Sequence, residues 1–164
     1  MPDLAPRITR LEQSVYIKDV KPANTDGGTF TSGAWQTRVL NTLEKSDAAI
    51  SWILLNGSNQ FILDPGTYEI EASAPAVDAN NFHKAKLRDI TNSLDVLIGS
   101  SESANGGLNV TTRSQIIGVF VVTNSTVFEI QHQISSTVGG SGFGNASHFG
   151  VVEVYTIVKL KKVG

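Results

Sequence analysis

The stretch Ser114–Ile134 (SQIIGVFVVTNSTVFEIQHQI) constrains the fold of this 164-residue chain more than any other part. Its first part, Ile116–Val122, is almost entirely apolar and β-branched, which is typical of a strand buried on both faces. Short polar residues at 123–126 predict a tight turn. The second part alternates and predicts a strand whose buried side carries Phe128, Ile130, His132 and Ile134. Such a hairpin cannot cover its own apolar face, so it needs a second sheet or another chain.

The rest of the chain reads as short strands separated by turns. Turn signals such as Asp64-Pro65-Gly66 recur about every 8–12 residues, and they separate about eight to ten strands. Thr67–Ala74 alternates cleanly and predicts a half-buried antiparallel strand. Its inward residues are Tyr68, Ile70, Ala72 and Ala74. This organisation predicts an all-β antiparallel sandwich or barrel, of which a jelly roll is one form.

Several other segments give expectations that the structure can test. Trp35–Leu40 is strand-like, and Ala49–Leu55 is apolar on both faces, which places it inside the protein or inside an oligomer. His83–Ile90 alternates and predicts a basic row of exposed side chains: Lys84, Lys86 and Arg88. We expect that row to be a solvated strand face rather than an anion-binding patch. The two longest loops are expected at Gly99–Asn109 and Ser135–Gly150.

Composition excludes several classes of function. The chain has 13 basic and 15 acidic residues, so it gives no electrostatic reason to expect nucleic acid or an anionic membrane as a partner. It has no cysteine, which excludes disulfides and thiolate metal sites. The first residues lack the apolar core of a signal peptide, and no stretch is long enough to span a bilayer, so we expect synthesis in a cytoplasm and no membrane insertion. Residues 15–164 are expected to form one domain, with 1–14 as a lead-in or attachment segment.

No catalytic, cofactor-binding or metal-ligating constellation is predicted, and the chain is expected not to be an enzyme. None of the three histidines, His83, His132 and His148, has a second histidine near it in sequence. Glu129 and His132 would share a face on a helix, but their odd spacing places them on opposite faces of a strand. His132 is therefore expected to be a hydrogen-bonded histidine of the core or of an interface. The Gly-rich run 139–144 lacks the lysine and the helix of a phosphate loop.

Five blocks in order resemble a family of bacteriophage virion proteins, found as tail-fibre or head-fibre domains with a C1q/TNF-like jelly-roll fold. The blocks are Trp35–Thr42 (WQTRVLNT), Phe61–Pro75 (FILDPGTYEIEASAP), His83–Arg88 (HKAKLR), Phe128–His132 (FEIQH) and Gly150–Tyr155 (GVVEVY). The resemblance covers roughly residues 18–160. It implies a homotrimeric structural or adhesive module, made in the host cytoplasm and located on the virion, with no cofactor. A fibre, a spike and a capsid decoration protein all remain open.

The resemblance also implies partners. These are other copies of the chain, other virion proteins held through the N-terminal segment, and a receptor or glycan of the host surface. The alternative from a different class is a cellular C1q/TNF-like secreted binding module. A glycan-cleaving enzyme is a third alternative, for which no paired carboxylates in a pocket are indicated.

Strand parity predicts where host contact would occur. Successive antiparallel strands reverse direction, so the loops Gly99–Asn109 and Ser135–Gly150 should lie at one end of the domain. The chain start and the turn at 123–126 should lie at the other end. Long loops on a rigid scaffold often carry binding residues, and the candidate receptor contacts are Phe143, His148 and Phe149. The alternative for the two phenylalanines is that they anchor the loop to the sheet.

Overall fold

The computed structural model describes residues 13–77, 82–103 and 109–164, which fold into a sandwich of two antiparallel sheets. In these ranges the chain forms eleven strands and no helix. The strands are β1 Ser14–Lys21, β2 Gln36–Thr37, β3 Thr42–Lys45, β4 Ile53–Leu55, β5 Phe61–Leu63, β6 Gly66–Val77, β7 Phe82–Asp89, β8 Leu94–Ser103, β9 Thr111–Val122, β10 Thr126–Ile134 and β11 Glu153–Lys162. The described part of the chain therefore holds no helix long and apolar enough to cross a membrane.

The strand order is that of a jelly roll. The first sheet runs β3-β1-β11-β6-β9, and the second runs β4-β5-β10-β7-β8. The short strand β2 pairs with β10 beyond the end of β5, through Gln131↔Thr37 and His132↔Gln36. All of these pairings are antiparallel, and neighbours in space are mostly distant in sequence.

The register defines two ends of the sandwich. Ser14 at the start of β1 pairs with Lys161 near the end of β11, and Gly66 at the start of β6 pairs with Val122 at the end of β9. We call this end the base and the opposite end the apex. The expectation that the domain starts at the base is confirmed, whereas residues 1–12 of the predicted attachment segment lie outside the described residues.

An aromatic cluster fills the base half of the interior. Trp52 and Tyr68 lie 5.3 Å apart between ring centroids, Tyr68 and Phe120 lie 5.8 Å apart, and Phe120 contacts Phe128 edge-on at 5.5 Å. Phe61 stacks on Phe128 at 5.8 Å. Such pairs add about 0.5–1.5 kcal/mol each beyond the area that they bury.

The two cleanest alternating segments are strands as predicted. On β6 the inward residues Tyr68, Ile70, Ala72 and Ala74 are all buried. On β10 the inward residues Phe128, Ile130, His132 and Ile134 are buried as well. Alternation is reliable here because one face of each strand packs on the opposite sheet.

Three expectations about strands are wrong. Only Gln36–Thr37 of the segment Trp35–Leu40 is a strand, because the Leu40 N–H donates to Asn59 Oδ1 at 3.3 Å instead of to a carbonyl of a neighbouring strand. In Ala49–Leu55 the strand is limited to Ile53–Leu55; Trp52 and Ile53 are both buried, so the expected alternation fails at the turn before it.

The third error concerns the loop Gly99–Asn109. Gly99–Ser103 continues β8, and 104–108 lie outside the described residues. Ser100 explains the longer strand, because it ties the edge of one sheet to the edge of the other. Its carbonyl accepts from Ser114 Oγ at 2.7 Å, and its Oγ accepts from the Gln115 N–H at 2.9 Å.

Candidate functional site

The strand ends that flank the two predicted long loops lie together at the apex. β8 runs from Leu94 at the base to Ser103 at the apex, and β9 starts at the apex with Thr111. β10 ends at the apex with Ile134, so the segment 135–152 that leads into β11 lies there too. The register of the flanking strands therefore confirms the prediction that both loops are at the same end of the domain.

Phe143 packs against the body of the domain. Its ring lies 4.4 Å from the ring of buried Phe30, and the guanidinium of Arg38 lies 4.1 Å from its ring centroid. The Phe143 carbonyl also accepts a hydrogen bond of 3.1 Å from Arg38 Nη2. Phe143 therefore anchors the loop, which is the alternative that the sequence left open for it.

The other two predicted contact residues are on the surface. Phe149 is 84% exposed, and His148 is exposed with a left-handed φ of 59°. Val151 and Val152 are exposed beside them, so the tip of this loop is apolar. Phe149 does not anchor the loop.

A groove lies near the apex on the outer face of the second sheet. Its volume is about 410 Å³. Two aromatic side chains and four polar ones contribute to its lining: Trp35, Phe82, Lys84, Ser101, Gln133 and Ser135. Two hydrogen bonds of 3.0 Å fix the backbone of Phe82. The Ser135 N–H donates to the Phe82 carbonyl, and the Phe82 N–H donates to Ser135 Oγ. Alternation did not reveal this groove, because Trp35 reaches it from a segment distant in sequence.

The basic row of β7 is not uniformly exposed. Lys86 is buried, contrary to expectation, because its ammonium lies 4.1 Å from the ring centroid of Trp35 and 2.8 Å from Asp95 Oδ1. Arg88 binds the same oxygen at 2.8 Å. These partners hold the pKa of Asp95 below its usual value, with the hydrogen bond from Lys86 as the main cause. Lys84 remains half-buried at the groove.

A chain of buried polar groups lies beneath the apex. His83 Nδ1 and His132 Nε2 are 2.9 Å apart, and His83 Nε2 lies 2.8 Å from Thr112 Oγ1. The expectation that His132 is a hydrogen-bonded core histidine is confirmed. Burial lowers the pKa of His83 to about 4 and places that of His132 well below its ordinary value, with Arg38 adding to both shifts.

The histidine pair implies a defined tautomer. His132 Nδ1 is buried without a hydrogen-bond partner in the described residues. If His83 donated to His132, this nitrogen would carry an unpaired N–H. With His132 Nε2–H donating to His83, the orphan atom is an acceptor only, which costs less when it is buried. The two histidines, 49 residues apart in sequence, are therefore linked by a hydrogen bond of defined direction, and their lowered pKa values favour the neutral form of both rings.

Glu129 is on the outer face of β10 while His132 is in the core, as the odd spacing predicted. The Glu129 carboxylate accepts from Thr37 Oγ1, Gln60 Nε2 and Gln131 Nε2 at 3.1, 2.9 and 2.7 Å. In residues 13–77, 82–103 and 109–164, no group of three or more histidines and carboxylates could hold a metal ion.

One strand presents an apolar outer face. On β9 the inward residues Ile116, Phe120 and Val122 are buried. The outward Ile117, Val119 and Val121 are 72, 58 and 68% exposed, so the expected burial of both faces does not occur within one chain. Leu94 and Ile98 of β8 are exposed across the adjoining edge. Leu97 of β8 packs closely against Gly118 of β9, where a Cβ would lie 2.9 Å from a methyl of Leu97.

Comparison with known proteins identifies the fold. No protein-family model and no curated protein sequence matches the chain. Among solved structures, murine APRIL is 10% identical with a TM-score of 0.54, over 93% of this chain and 99% of that one. Eiger TNF from S. frugiperda is 8% identical with a TM-score of 0.56, over 93% of each chain. The chain has the jelly-roll fold of TNF and C1q domains.

A complement domain extends the same comparison. The globular domain of zebrafish complement 1qA is 12% identical with a TM-score of 0.54, over 93% of this chain and 98% of that one. At such identities the likeness shows the fold alone. The C1q/TNF-like architecture implied by the five sequence blocks is thereby confirmed, as an all-β antiparallel sandwich.

Proposed function

We propose that the protein is a homotrimeric, non-enzymatic structural protein of a bacteriophage virion, which presents its apex to the host surface. The observation that carries the proposal is the apolar stripe formed by Ile117, Val119 and Val121 on the outer face of β9. We propose further that it needs no metal or cofactor.

The stripe is a partner face rather than an ordinary surface. On the adjacent strand β6 the same face carries the exposed residues Glu69 and Glu71, which sit beside Val119 and Ile117 in register. Full burial of one such apolar side chain is worth about 1.5–3 kcal/mol. Three of them in a row favour association with another chain, and Ile98 on β8 is exposed as well.

A ring of identical copies accounts for the position of the stripe. It lies on an edge strand, so it can pack on a different face of the next copy, and such head-to-tail contacts form a closed ring when the rotation permits. Three copies is the number that the resemblance to C1q/TNF-like virion proteins implies. The first described residue, Gln13, lies at the base and accepts a hydrogen bond of 3.0 Å from Trp52 Nε1. Attachment through 1–12 would then leave the apex pointing outward.

The apex supports host contact. The exposed loop tip carries His148, Phe149, Val151 and Val152. The two segments that flank this tip are held by hydrogen bonds. Asp26 Oδ1 accepts from the Ala146 N–H at 2.8 Å, and the Glu153 carboxylate accepts from the Ser147 N–H. A rigid scaffold that holds an apolar tip is a common arrangement for binding loops.

A cellular C1q/TNF-like binding module is the second candidate. The structural neighbours, a TNF-type protein and a complement domain, support it through the shared fold. The jelly roll is compatible with both candidates. The particle on which the protein is found distinguishes them.

The decisive experiment is electron microscopy of the parent particle labelled with antibody against this chain. We expect label at a tail, capsid or baseplate position, and a cell surface or secretion without particles would favour the second candidate. Purified protein should also reduce adsorption of the phage to its host. The double variant His148→Ser and Phe149→Ser should lose that competition, whereas the base control Asn124→Ser should retain it. Equal competition by both variants would contradict apical contact.

A further inference from the structure

The groove on the second sheet has the size and the exposed aromatic side chains of a ligand-binding site. Its volume of about 410 Å³ is within the range of small-molecule sites, about 300–1,000 Å³. Phe82 is 75% exposed and yet is held by two backbone-directed hydrogen bonds with Ser135. An exposed aromatic ring on a fixed backbone is available to a ligand at little cost in conformational entropy.

The second aromatic side chain is equally well positioned. Trp35 is exposed, and the ammonium of Lys86 lies 4.1 Å from its ring centroid. Lys86 in turn is fixed by Asp95 at 2.8 Å. The indole therefore packs on the buried Lys86, whose ammonium is held in place by the exposed carboxylate of Asp95.

The polar lining is suited to hydroxyl groups. Gln133, Ser101 and Ser135 contribute an amide and two hydroxyls, which can both donate and accept. Ring C–H groups of a pyranose pack on aromatic faces, while its hydroxyls bond to side chains of this kind. A flat groove with two aromatic rings and three such groups matches a sugar better than a wholly apolar molecule.

Charge narrows the class of sugar. Lys86 and Arg88 both bind Asp95, but Lys84 forms no ion pair with any of the described residues. The nearby Glu102 is on the other face of β8 from Ser101, and it accepts a hydrogen bond of 2.6 Å from Ser100 Oγ. Among the described residues, Lys84 is thus the uncompensated charge of the groove, and it can bind a carboxylate.

We propose that this groove binds an acidic saccharide, with the sugar ring against Trp35 and Phe82 and its carboxylate on Lys84. A single lysine without a cluster of backbone N–H groups favours a carboxylate over a phosphate. The inference goes beyond the proposed virion role, because it depends neither on a virion nor on the number of copies. It concerns a different surface from the loop tip at Phe149.

The two tryptophans provide the test. Trp35 lines the groove, whereas Trp52 is buried in the base core and serves as an internal control. Indole N–H signals are recorded by NMR while a panel of acidic oligosaccharides is added, containing galacturonate, N-acetylneuraminate or 3-deoxy-octulosonate. Each has its methyl ester as a neutral counterpart. We expect at least one acid to shift the Trp35 signal and leave Trp52 unchanged, with its ester binding at least about tenfold more weakly.

Variants assign the contact. Lys84→Gln and Phe82→Ala should each weaken the best acid at least about tenfold, and neither side chain lies in the core, so both variants should fold. Lys45→Gln, an exposed lysine near the base, is the matched control and should bind as the wild type does. The proposal is overturned if no acid shifts Trp35, if the esters bind equally well, or if Lys84→Gln binds like the wild type.

Discussion

The two halves of the interior are built from different chemistry. The base half is filled by aromatic and aliphatic side chains, with Phe61, Phe120 and Phe128 in mutual ring contact. The apical half contains a fully buried arginine, Arg38, together with His83 and His132. Packing holds the base together, whereas hydrogen bonds to charged or titratable groups hold the apex together.

The difference corresponds to the two surfaces of the molecule. Val119 and Val121 of the apolar stripe lie toward the base, and the loop tip and the groove lie at the apex. Polar groups inside the apical half fix the loops above them through directional bonds. A purely apolar core could stabilise the same end, but it would not position the Phe143 carbonyl and the start of the loop.

Arg38→Ala should have the largest effect on stability. The guanidinium donates to Thr156 Oγ1 at 2.7 Å, to the Pro75 carbonyl at 3.3 Å and to the Phe143 carbonyl at 3.1 Å. Its loss leaves these acceptors unpaired and opens a cavity. We expect unfolding free energy to fall by about 5 kcal/mol. Denaturant titration at a fixed protomer concentration measures this.

Arg38→Met is the control for volume, because it removes the charge and the donors but fills most of the space. It should recover part of the loss, and the remainder measures the unpaired acceptors. Full recovery would show that the apical half is held by packing, as the base is.

Phe61→Ala tests the base half. Phe61 is fully buried and stacks on Phe128 at 5.8 Å, so truncation leaves a cavity and removes one ring pair. We expect a loss of about 4 kcal/mol, with no change in the pH dependence of stability. Phe61→Leu should lose about 1 kcal/mol, since it conserves most of the volume. A loss below 1 kcal/mol for the alanine variant would mean that this cluster is loosely packed.

Mild acid should weaken the apical half. Burial places the pKa of His83 at about 4 and that of His132 lower than the ordinary 6.5, so the unfolded chain binds more protons between pH 6.5 and about 4. Stability is therefore fully present above pH 6.5 and falls as pH drops toward 4. We expect a loss on the order of 2 kcal/mol between pH 7 and 4.5, measured by denaturant titration at each pH.

Other charged groups near the histidine pair affect the pH range over which stability falls. The positive charge of Arg38 lowers the pKa of both histidines. The negative charge of Glu102 raises the pKa of His83. Burial raises the pKa of Asp19, so the folded protein takes up its proton more readily than the unfolded chain, and this uptake opposes the loss as the pH falls. The double variant His83→Gln and His132→Gln should flatten the profile. His148→Gln, at an exposed histidine, should not, and an unchanged profile in the double variant would contradict the assignment.

The sequence predicted the base half better than the apical half. On β6 and β10, apolar residues alternate with polar ones, and that period assigns each side chain to its face. Arg38 breaks the rule, because a charged residue is expected outside unless its partners are known. Those partners, Thr156 and the Phe143 carbonyl, are more than 100 residues away in sequence and are brought together only by the fold.

The functional surfaces divide in the same way. The apolar run Ile116–Val122 predicts burial of both faces, but its pattern cannot distinguish burial within one chain from burial between chains, and within one chain the outer face is exposed. The alternating direction of successive antiparallel strands predicts that the long loops lie at one end, and this prediction needs no knowledge of contacts. The groove was missed, because Trp35 and Phe82 belong to separate segments and neither lies in a recognisable motif.

The oligomeric state tests the central claim most directly. Sedimentation equilibrium of the wild type at micromolar concentration should give three times the protomer mass. Val119→Glu places a charge in the middle of the stripe and should give monomers that keep their β-sheet circular dichroism spectrum. The control Glu71→Gln on the neighbouring strand should remain trimeric. A monomeric wild type, or a Val119→Glu variant that stays trimeric, would contradict the account.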